Sequence, residues 1–318
     1  MSAGESFGRL VAVRVFGTAE QFSINGQSST IINYDEKYTE FRSIQETGAP
    51  GFRIKAKVTI VEATIGLAVN PINISLYNLG PDSRALLESQ VGTKISAFAG
   101  YGNEAKRIAS GNILWSRTHK EGANYVTEII AGDSHFGLAN GFVNLSFKGP
   151  TEYSQIAEAC FSELSDVGVD VGTVILPSGQ YQQGFVMNGS PMDVLSALCK
   201  KTNCRISIVA NELSIIPNGQ SIGLPPIEIS QRTGLIGIPE VKSQGVIGAV
   251  PDDIPVAPQN NISFTTLLKP ELGLFQDVTV ISKFVNGHFV TGRTVHDVDS
   301  WEGPFYTHCE ATLSSGKS

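Results

Sequence analysis

The sequence predicts a mainly β protein in which two β-barrel-like domains flank a small α/β domain. Glycine is abundant, with 33 in 318 residues, whereas charged residues make up only 17%, a balance typical of many turns and short strands. Apolar and polar residues alternate with a period of two in the first half and at the end of the chain. Between these regions the apolar spacing changes to that of helices.

The composition limits the class of protein. Hydrophobic residues make up 41% of the chain and the formal net charge is −7, so the sequence is neither a disordered solvating chain nor a general phosphate-binding surface. No stretch approaches ~18–20 consecutive apolar residues, and the first residues lack a cationic and an apolar region. We therefore expect no membrane span, no secretory signal and no nucleic-acid binding.

The four cysteines are expected to be reduced. Cys160, Cys199, Cys204 and Cys309 are widely spread and show no C-x-x-C spacing. In a chain of this length they do not form a disulfide framework, and we interpret them as small buried hydrophobic residues in a reducing compartment.

Residues 1–50 are predicted to form N-terminal strands and an arm. Leu10–Phe16 has the apolar content of a first strand, and Ile24–Gln27 has the composition of a tight turn.

Residues 51–149 are predicted to form the first β barrel. Apolar residues alternate with cationic and polar ones from Phe52 to Ile60, which is the pattern of a half-buried strand. Further strands are expected at Ile72–Leu76, Lys94–Gly100, Gly111–Arg117 and Tyr125–Gly132. One short helix is inserted, and Pro81 suits its first turn.

Residues 150–217 are predicted to form the α/β insert. Apolar positions from Tyr153 to Leu164 follow helical spacing, and a second helix is expected after Ser190, a good capping residue, with Pro191 in its first turn. A two-stranded hairpin at Arg205–Val209 and Leu213–Ile216 completes this unit.

Residues 218–318 are predicted to form a loop-rich linker followed by the second β barrel. Eight of the 15 prolines lie between residues 217 and 270, which indicates loops around short extended pieces such as Ile227–Ser230. We expect a mobile loop at Gly245–Asn261. Strands at Phe275–Phe284 and Phe289–Val298 flank a predicted turn at 286–288, and Phe305–Leu313 is the last strand.

One group of residues near the end of the chain has the chemistry of metal ligands. Imidazoles and carboxylates suit zinc or iron, but no spacing in the group matches a known site, and adjacent strand residues face opposite sides. We favour a solvated hairpin edge over a metal site. The group consists of His288, His296, Asp297, Asp299, Glu302, His308 and Glu310.

Two other features have a functional and a structural interpretation. Asp133 and His135 could form an acid–base pair, but a turn in which the aspartate caps local amides is favoured. Arg53, Lys55 and Lys57 line one strand face, which could steer an acidic partner but is typical of the solvated side of a sheet. The sequence therefore predicts no catalytic, cofactor-binding or metal-binding residues.

Several segments together resemble a known family. The motifs lie in the order expected for the baseplate hub proteins of contractile-tail bacteriophages, the late control D-like family, and the resemblance spans residues 50–313. They are Ser75–Leu79, Ala99–Gly102, Asn188–Leu195, Ser230–Glu240, Leu267–Leu272 and Val295–Thr307.

The resemblance implies a structural role without enzymatic activity. Hub proteins of this type form a homotrimer in which each chain carries two related β barrels, so that three chains present a pseudo-six-fold ring. One face of the ring receives the hexameric tail tube and the other holds the trimeric central spike, with other baseplate (wedge) proteins nearby. The expected location is the tail baseplate of the virion, after assembly in the host cytoplasm, with no cofactor.

An enzymatic alternative remains open at this point. A tail-associated cell-wall glycan hydrolase would use Asp297, Asp299 or Glu302 as an acid–base pair. The sequence has no clear second carboxylate motif and no aromatic shelf for sugars, because Trp115 and Trp301 are far apart.

Overall fold

The computed structural model describes residues 8–16, 38–44, 51–61, 70–102, 104–132, 142–166, 169–209, 212–243 and 260–314. Within these residues, thirteen strands form one continuous sheet, and three smaller sheets of two or three strands accompany it. The predicted mainly β fold with a small helical insert is confirmed. No helix in the described part of the chain is long and apolar enough to cross a membrane.

The first β region, in its described part, contains seven strands and one helix. Backbone hydrogen bonds join residues 51 and 52 to the segment at Arg42: Phe52 N donates to Arg42 O at 2.9 Å, and Gly51 N donates to Ser43 O. They bring together the first and last strands of the order given next. The strands are paired in the order β3-β4-β7-β6-β5-β1-β2. The elements are β1 (Arg9–Phe16), β2 (Tyr38–Arg42), β3 (Ile54–Val61), β4 (Pro71–Tyr77), α1 (Pro81–Ser89), β5 (Lys94–Tyr101), β6 (Glu104–Glu121) and β7 (Asn124–Gly132).

The period-two pattern of the sequence accounts for these strands. Ile54, Ala56, Val58 and Ile60 are buried on one face of β3, and the residues between them are partly or fully exposed. Pro81 begins α1, as the sequence predicts, because the first helical position needs no N–H donor.

The α/β insert packs two helices against a three-stranded sheet with the order β10-β14-β13. Ser190 caps the second helix as predicted, since its Oγ accepts a hydrogen bond from Met192 N at 3.2 Å. Two short antiparallel pairs, β8 with β12 and β9 with β11, complete the unit. The elements are β8 (Val143–Phe147), β9 (Thr151–Glu152), α2 (Tyr153–Asp166), β10 (Asp170–Val174), β11 (Gln180–Tyr181), β12 (Phe185–Gly189), α3 (Pro191–Thr202), β13 (Cys204–Val209) and β14 (Glu212–Pro217).

The second β region contains six strands among its described residues. Five of them pair antiparallel, while β15 pairs parallel with β18. A 3-10 turn at Gln231–Thr233 joins β15 to β16. The strands are β15 (Ile227–Ser230), β16 (Leu235–Ser243), β17 (Asn260–Leu267), β18 (Asp277–Ile281), β19 (Asn286–Asp299) and β20 (Phe305–Leu313).

Strand β19 joins the two β regions. Its first part, to Val290, pairs with β18, and its second part, from Arg293 to Asp299, pairs with β3. The register of β19 against β20 shifts between Thr291 and Arg293, where the strand changes partners. Two separate hydrophobic cores therefore lie along one sheet, one around Ile54, Ile74 and Phe41 and the other around Val278 and Val280.

The proline-rich region is more ordered than the sequence predicts. Leu235–Ser243 and Asn260–Leu267 are strands, and β17 lies inside the sheet between β16 and β20. Pro239 is accommodated because β16 is an edge strand of the described sheet and its register with β17 shifts between Ile236 and Glu240. The predicted mobile loop at Gly245–Asn261 lies outside the described residues except for its last two positions, which begin β17.

The prediction of a turn at residues 286–288 is wrong. Asn286 already begins β19, and the chain turns at residues 282–285. The hydroxyl of Ser282 accepts a hydrogen bond from Val285 N at 2.9 Å, and the Asn286 side chain accepts one from Ser282 N at 3.0 Å. These local hydrogen bonds place the turn before the Asn-Gly pair.

The N-terminal strands belong to the main sheet. β1 pairs with both β2 and β5, so this part of the predicted arm contributes to the first core through Val11, Val13 and Phe41. The turn predicted at Ile24–Gln27 lies outside the described residues. The domain boundaries after residues 50, 149 and 217 stay a prediction.

Candidate functional site

One outer face of the sheet extends across both β regions. The strand registers place one residue from each of seven strands in a single row of cross-strand neighbours. We call this set the outer row. It consists of Trp115, Ile130, Asn73, Lys57, Asp297, Tyr306 and Leu267.

The middle of this face is an array of opposite charges at the β3–β19 junction. Lys57 Nζ lies 3.9 Å from Asp297 Oδ2, and Lys55 Nζ lies 3.6 Å from Asp299 Oδ2. Arg53 Nη2 donates a hydrogen bond to the same Asp299 oxygen at 3.0 Å. The cationic row of β3, predicted to face solvent, therefore meets its acidic partners within the chain.

Asp299 is the centre of this array. Its side chain is only 3% exposed, and its other oxygen accepts a hydrogen bond from Trp301 N at 3.0 Å. The hydrogen bond from Arg53 to Asp299 raises the pKa of Arg53 above its ordinary value, an effect partly opposed by burial of the guanidinium. The prediction of a solvated hairpin edge is wrong for this carboxylate, because β3 covers it.

The turn after β19 is held against the first β region. Arg9 Nη1 donates to the carbonyl oxygens of Asp299 and Gly303, and its guanidinium lies 5.2 Å from the centre of the Phe305 ring. Ile54 N donates to Ser300 Oγ at 2.9 Å. Charged, aromatic and backbone contacts thus fix the junction between the two regions.

Both ends of the outer row are apolar and exposed. Trp115 and Ile130 lie at the β6–β7 end. Leu267 lies at the β17 end next to Gly234, and β16 beyond it carries the exposed Ile236 and Ile238. No motif in the sequence marks these residues as one surface. For β16 the sequence does contain an indication of exposure, because Ile236 and Ile238 precede Pro239, and a proline within a strand is typical of an edge strand.

Comparisons with known proteins concern the fold. No protein-family model matches the sequence, and no curated protein is similar to it in sequence. The tail protein from Neisseria meningitidis MC58 has a similar structure, with a TM-score of 0.59 at 10% identity over 96% of this chain and 97% of that one. The 43 kDa tail protein of prophage MuSo2 from Shewanella oneidensis gives a TM-score of 0.54 at 12% identity, over 83% and 98% of the two chains.

The chain has the fold of phage tail proteins. A further similar structure, with a TM-score of 0.52 at 9% identity over 83% of this chain and 74% of that one, is the E. coli c3393 protein. Its structure is described as that of a type VI secretion system component similar to T4 bacteriophage tail proteins. The fold therefore occurs both in phage tail proteins and in a component of a type VI secretion system.

In the group considered as possible metal ligands, the two exposed histidines each contact a threonine on a neighbouring strand. His288 Nδ1 lies 3.1 Å from Thr279 Oγ1, His308 Nδ1 lies 2.9 Å from Thr265 Oγ1, and Glu310 is ion-paired with Arg293 at 3.2 Å. In the described part of the chain, no group of three or more His, Cys, Asp or Glu residues could hold a metal ion.

His296 is buried in the second β region. Its Nδ1 lies 3.0 Å from Thr307 Oγ1, and burial lowers the pKa of the imidazole to about 4, although a hydrogen bond with the backbone of Leu272 opposes the shift. This histidine is therefore neutral at neutral pH and serves to pack the segment before β18 against β20.

The carboxylates of the hydrolase alternative have other partners. Asp297 and Asp299 face the cations of β3, and Glu302 is exposed in the turn after β19. Asp133 and His135 lie outside the described residues. In its described part the structure thus presents an outer sheet face with ion pairs at its centre and exposed apolar side chains at both ends.

Proposed function

We propose that this chain is a structural, non-enzymatic baseplate protein of a bacteriophage tail, and specifically a hub. Three copies form a ring that joins the hexameric tail tube to the trimeric central spike. Other baseplate proteins surround the ring. Its place is the tail of the virion, and it assembles in the host cytoplasm.

The observation that carries this proposal is the joining of two β regions by the β3–β19 ladder. The larger core extends across this junction to Val298 and Phe305, and a second core lies around Val278 and Val280 within the second region. A chain with two similar units, repeated three times around an axis, offers six near-equivalent surfaces to a six-fold partner. A trimeric partner on the other side needs only the three-fold repeat. Such a chain solves the symmetry mismatch by its internal duplication.

The contacts across the β3–β19 junction support this role. An adaptor that sets the spacing of six surfaces needs its two units to be held in a fixed relative orientation. The continuous sheet, the Arg53–Asp299 hydrogen bond and the Arg9 contacts provide this at the junction. The proposed division is into residues 1–50, 51–149, 150–217 and 218–318, with the two β barrels in 51–149 and 218–318.

Electron microscopy of the purified chain tests the proposal. We expect three-fold rings with six similar lobes, on which the tail tube protein adds a six-fold layer when it is mixed in. Gold-labelled antibody against the chain should mark the tube–spike junction of intact tails. Particles that stay single after tube and spike proteins are added, together with no label at that junction, would refute the proposal.

A further inference from the structure

The two β regions are built from the same arrangement of five strands. In the first region the strands lie in the order β3-β4-β7-β6-β5, and in the second they lie in the order β16-β17-β20-β19-β18. Every neighbouring pair in both series is antiparallel. When the strands of each series are counted along the chain, both have the order first, second, fifth, fourth, third. The second region therefore repeats the topology of the first.

The fourth strands of the two series, β6 and β19, also share one irregularity. The register of β6 against β7 shifts between Ile113 and Trp115, and that of β19 against β20 shifts between Thr291 and Arg293. In each strand the shift comes just after the part that pairs with the third strand, which is β5 or β18. This shared bulge aligns β6 and β7 with β19 and β20 residue by residue.

One aromatic contact links the first region to the second within the chain. Tyr101, at the end of β5, packs edge to face against Phe305, at the start of β20, with 5.2 Å between the ring centres. Phe305 is only 1% exposed, and the Arg9 guanidinium lies 5.2 Å from the centre of its ring. The tip of the β5–β6 hairpin thus contacts the fifth strand of the second region, beside the β3–β19 ladder.

Tyr125 occupies in the first region the position that Phe305 has in the second. Lys120 of β6 faces Tyr125 of β7, as Val298 of β19 faces Phe305 of β20. Tyr125 also has a cation on its ring, because the Arg84 guanidinium lies 4.5 Å from the ring centre. However, Tyr125 is 45% exposed. It therefore has the local setting of Phe305 but lacks the cover that Phe305 has.

The counterpart of the β5–β6 hairpin tip, where Tyr101 lies, is the turn between β18 and β19. Phe284 lies in this turn, and its side chain is 64% exposed. A large exposed aromatic side chain is the kind of residue that anchors contacts between proteins. The repeat thus contains a second aromatic pair, Phe284 and Tyr125, whose members are both exposed.

The strands that would continue the junction have free edges. Within the chain the first strand of the first region, β3, pairs with the fourth strand of the second, β19. The reverse pair would be β16 and β6, but β16 pairs among the described strands only with β17, and β6 beyond Asn112 pairs there only with β7. Glu88 of α1 accepts a hydrogen bond from Thr118 N and caps one point of the β6 edge. One chain therefore forms the junction in one direction and leaves it open in the other.

We infer that the next copy of this chain completes the junction, so that Phe284 of one copy packs against Tyr125 of the next. This contact repeats between chains the packing of Tyr101 against Phe305 within the chain. The same junction then occurs within each chain and between neighbouring chains, and the two β regions alternate around a closed ring. This inference rests on the proposed function, because it assigns the contact by which the three chains close their ring.

Sedimentation of the full chain and of single variants tests the contact. We expect Phe284→Asp and Tyr125→Asp each to raise the dissociation constant of the trimer by about tenfold or more, since each places a carboxylate in a buried apolar contact. Val186→Asp is the matched control, because Val186 is 76% exposed on β12 of the insert, outside both β regions. Its trimer should dissociate like that of the wild type.

A conservative variant and crosslinking keep the inference testable if an aspartate variant fails to fold. Tyr125→Phe should keep the trimer, since it retains the ring. In a Cys204→Ser background, which removes the half-buried thiol, Phe284→Cys with Tyr125→Cys should give covalent trimers on mild oxidation. Phe284→Cys with Val186→Cys in the same background should run as a monomer on a denaturing gel.

The outcomes separate this contact from the hub proposal. Trimers that persist in both aspartate variants, together with no crosslink through the cysteine pair, overturn the inference and leave the hub intact. A wild-type chain that stays monomeric overturns it as well, and labelling at the tube–spike junction then decides the hub. Crosslinked trimers of a protein that is absent from that junction would support the contact and refute the hub.

Discussion

Asp299 accepts a hydrogen bond from Arg53 at 3.0 Å across a sequence separation of 246 residues. The pair lies where β3 meets β19, and Lys55 approaches the same carboxylate at 3.6 Å. Because Asp299 is almost fully buried, its negative charge is stable there only with these cations and with the amide of Trp301. One side chain thus links the two β regions.

Asp299→Asn should therefore destabilise the protein. The amide keeps the shape of the side chain but leaves the partly buried Arg53 without its counter-charge, which we expect to lower the free energy of unfolding by about 2 kcal/mol. Chemical denaturation followed by circular dichroism measures this change.

Asp297→Asn is the matched control on the same strand. Asp297 lies 3.9 Å from Lys57, and both side chains are partly exposed, so its loss should cost at most about 0.5 kcal/mol. Equal effects of the two substitutions would contradict the special role of Asp299.

The β3–β19 pairing shows what local patterns can and cannot predict. The alternation in β3 identified its buried residues correctly, since periodicity depends only on neighbours in sequence. The same alternation predicted a solvated face for Arg53, Lys55 and Lys57. Which strand lies beside β3 depends on the register of residues more than 200 positions away, and no short pattern contains that information.

Asn70 is expected to fasten the α/β insert to the main sheet. Its Oδ1 accepts from Val61 N at 2.9 Å and its Nδ2 donates to Ile208 O at 2.8 Å, and the residue is buried. Asn70→Ala leaves a donor and an acceptor unpaired and should cost about 2–3 kcal/mol in unfolding free energy.

The exposed Asn73, three residues further along, serves as the control for that experiment. Asn73→Ala removes a similar side chain from the outer face of β4 and should change stability by less than about 0.5 kcal/mol. Similar unfolding curves for the Asn70→Ala variant and the wild type would show that the contact between insert and sheet is not held by this amide.

The outer row was harder to predict from the sequence than the helices. Ser190 and Pro191 specify the start of α3 by local capping chemistry, and the structure confirms both roles. Trp115, Ile130 and Leu267 have no local feature that joins them, because they lie on three strands that the fold places in one row. Contact surfaces of this kind arise from topology rather than from motifs.

One thiol should react in the native protein. Burial raises the pKa of Cys160, Cys199 and Cys309 to about 12 and closes them off from solvent. Burial also raises the pKa of Cys204, but this thiol is only half-buried and can be reached by a reagent. Titration with an aromatic disulfide at pH 8 should therefore find one reactive thiol before denaturation and four after it. Cys204→Ser should abolish the native reaction, and rapid reaction of a second thiol would contradict the burial.

His296 should make the protein sensitive to mild acid. In the unfolded chain its imidazole takes up a proton near the ordinary pKa of 6.5, whereas in the folded chain it does so only near about 4. Between these values the unfolded state binds more protons, so stability is fully present above pH 6.5 and is lost as the pH falls towards 4, by up to about 3 kcal/mol. Unfolding free energies measured at pH 7.5, 5.5 and 4.5 follow this loss.

The variant His296→Asn should flatten that dependence, since an amide hydrogen-bonds with Thr307 without titrating. The control His308→Asn alters an exposed histidine whose contact is with Thr265, and it should keep the decline of the wild type. If the His296→Asn variant loses as much stability between pH 6.5 and 4 as the wild type does, another group carries the acid sensitivity. The two variants differ in how much unfolding free energy they lose between pH 7.5 and 4.5, and this difference measures the effect of burying the neutral His296 imidazole on stability.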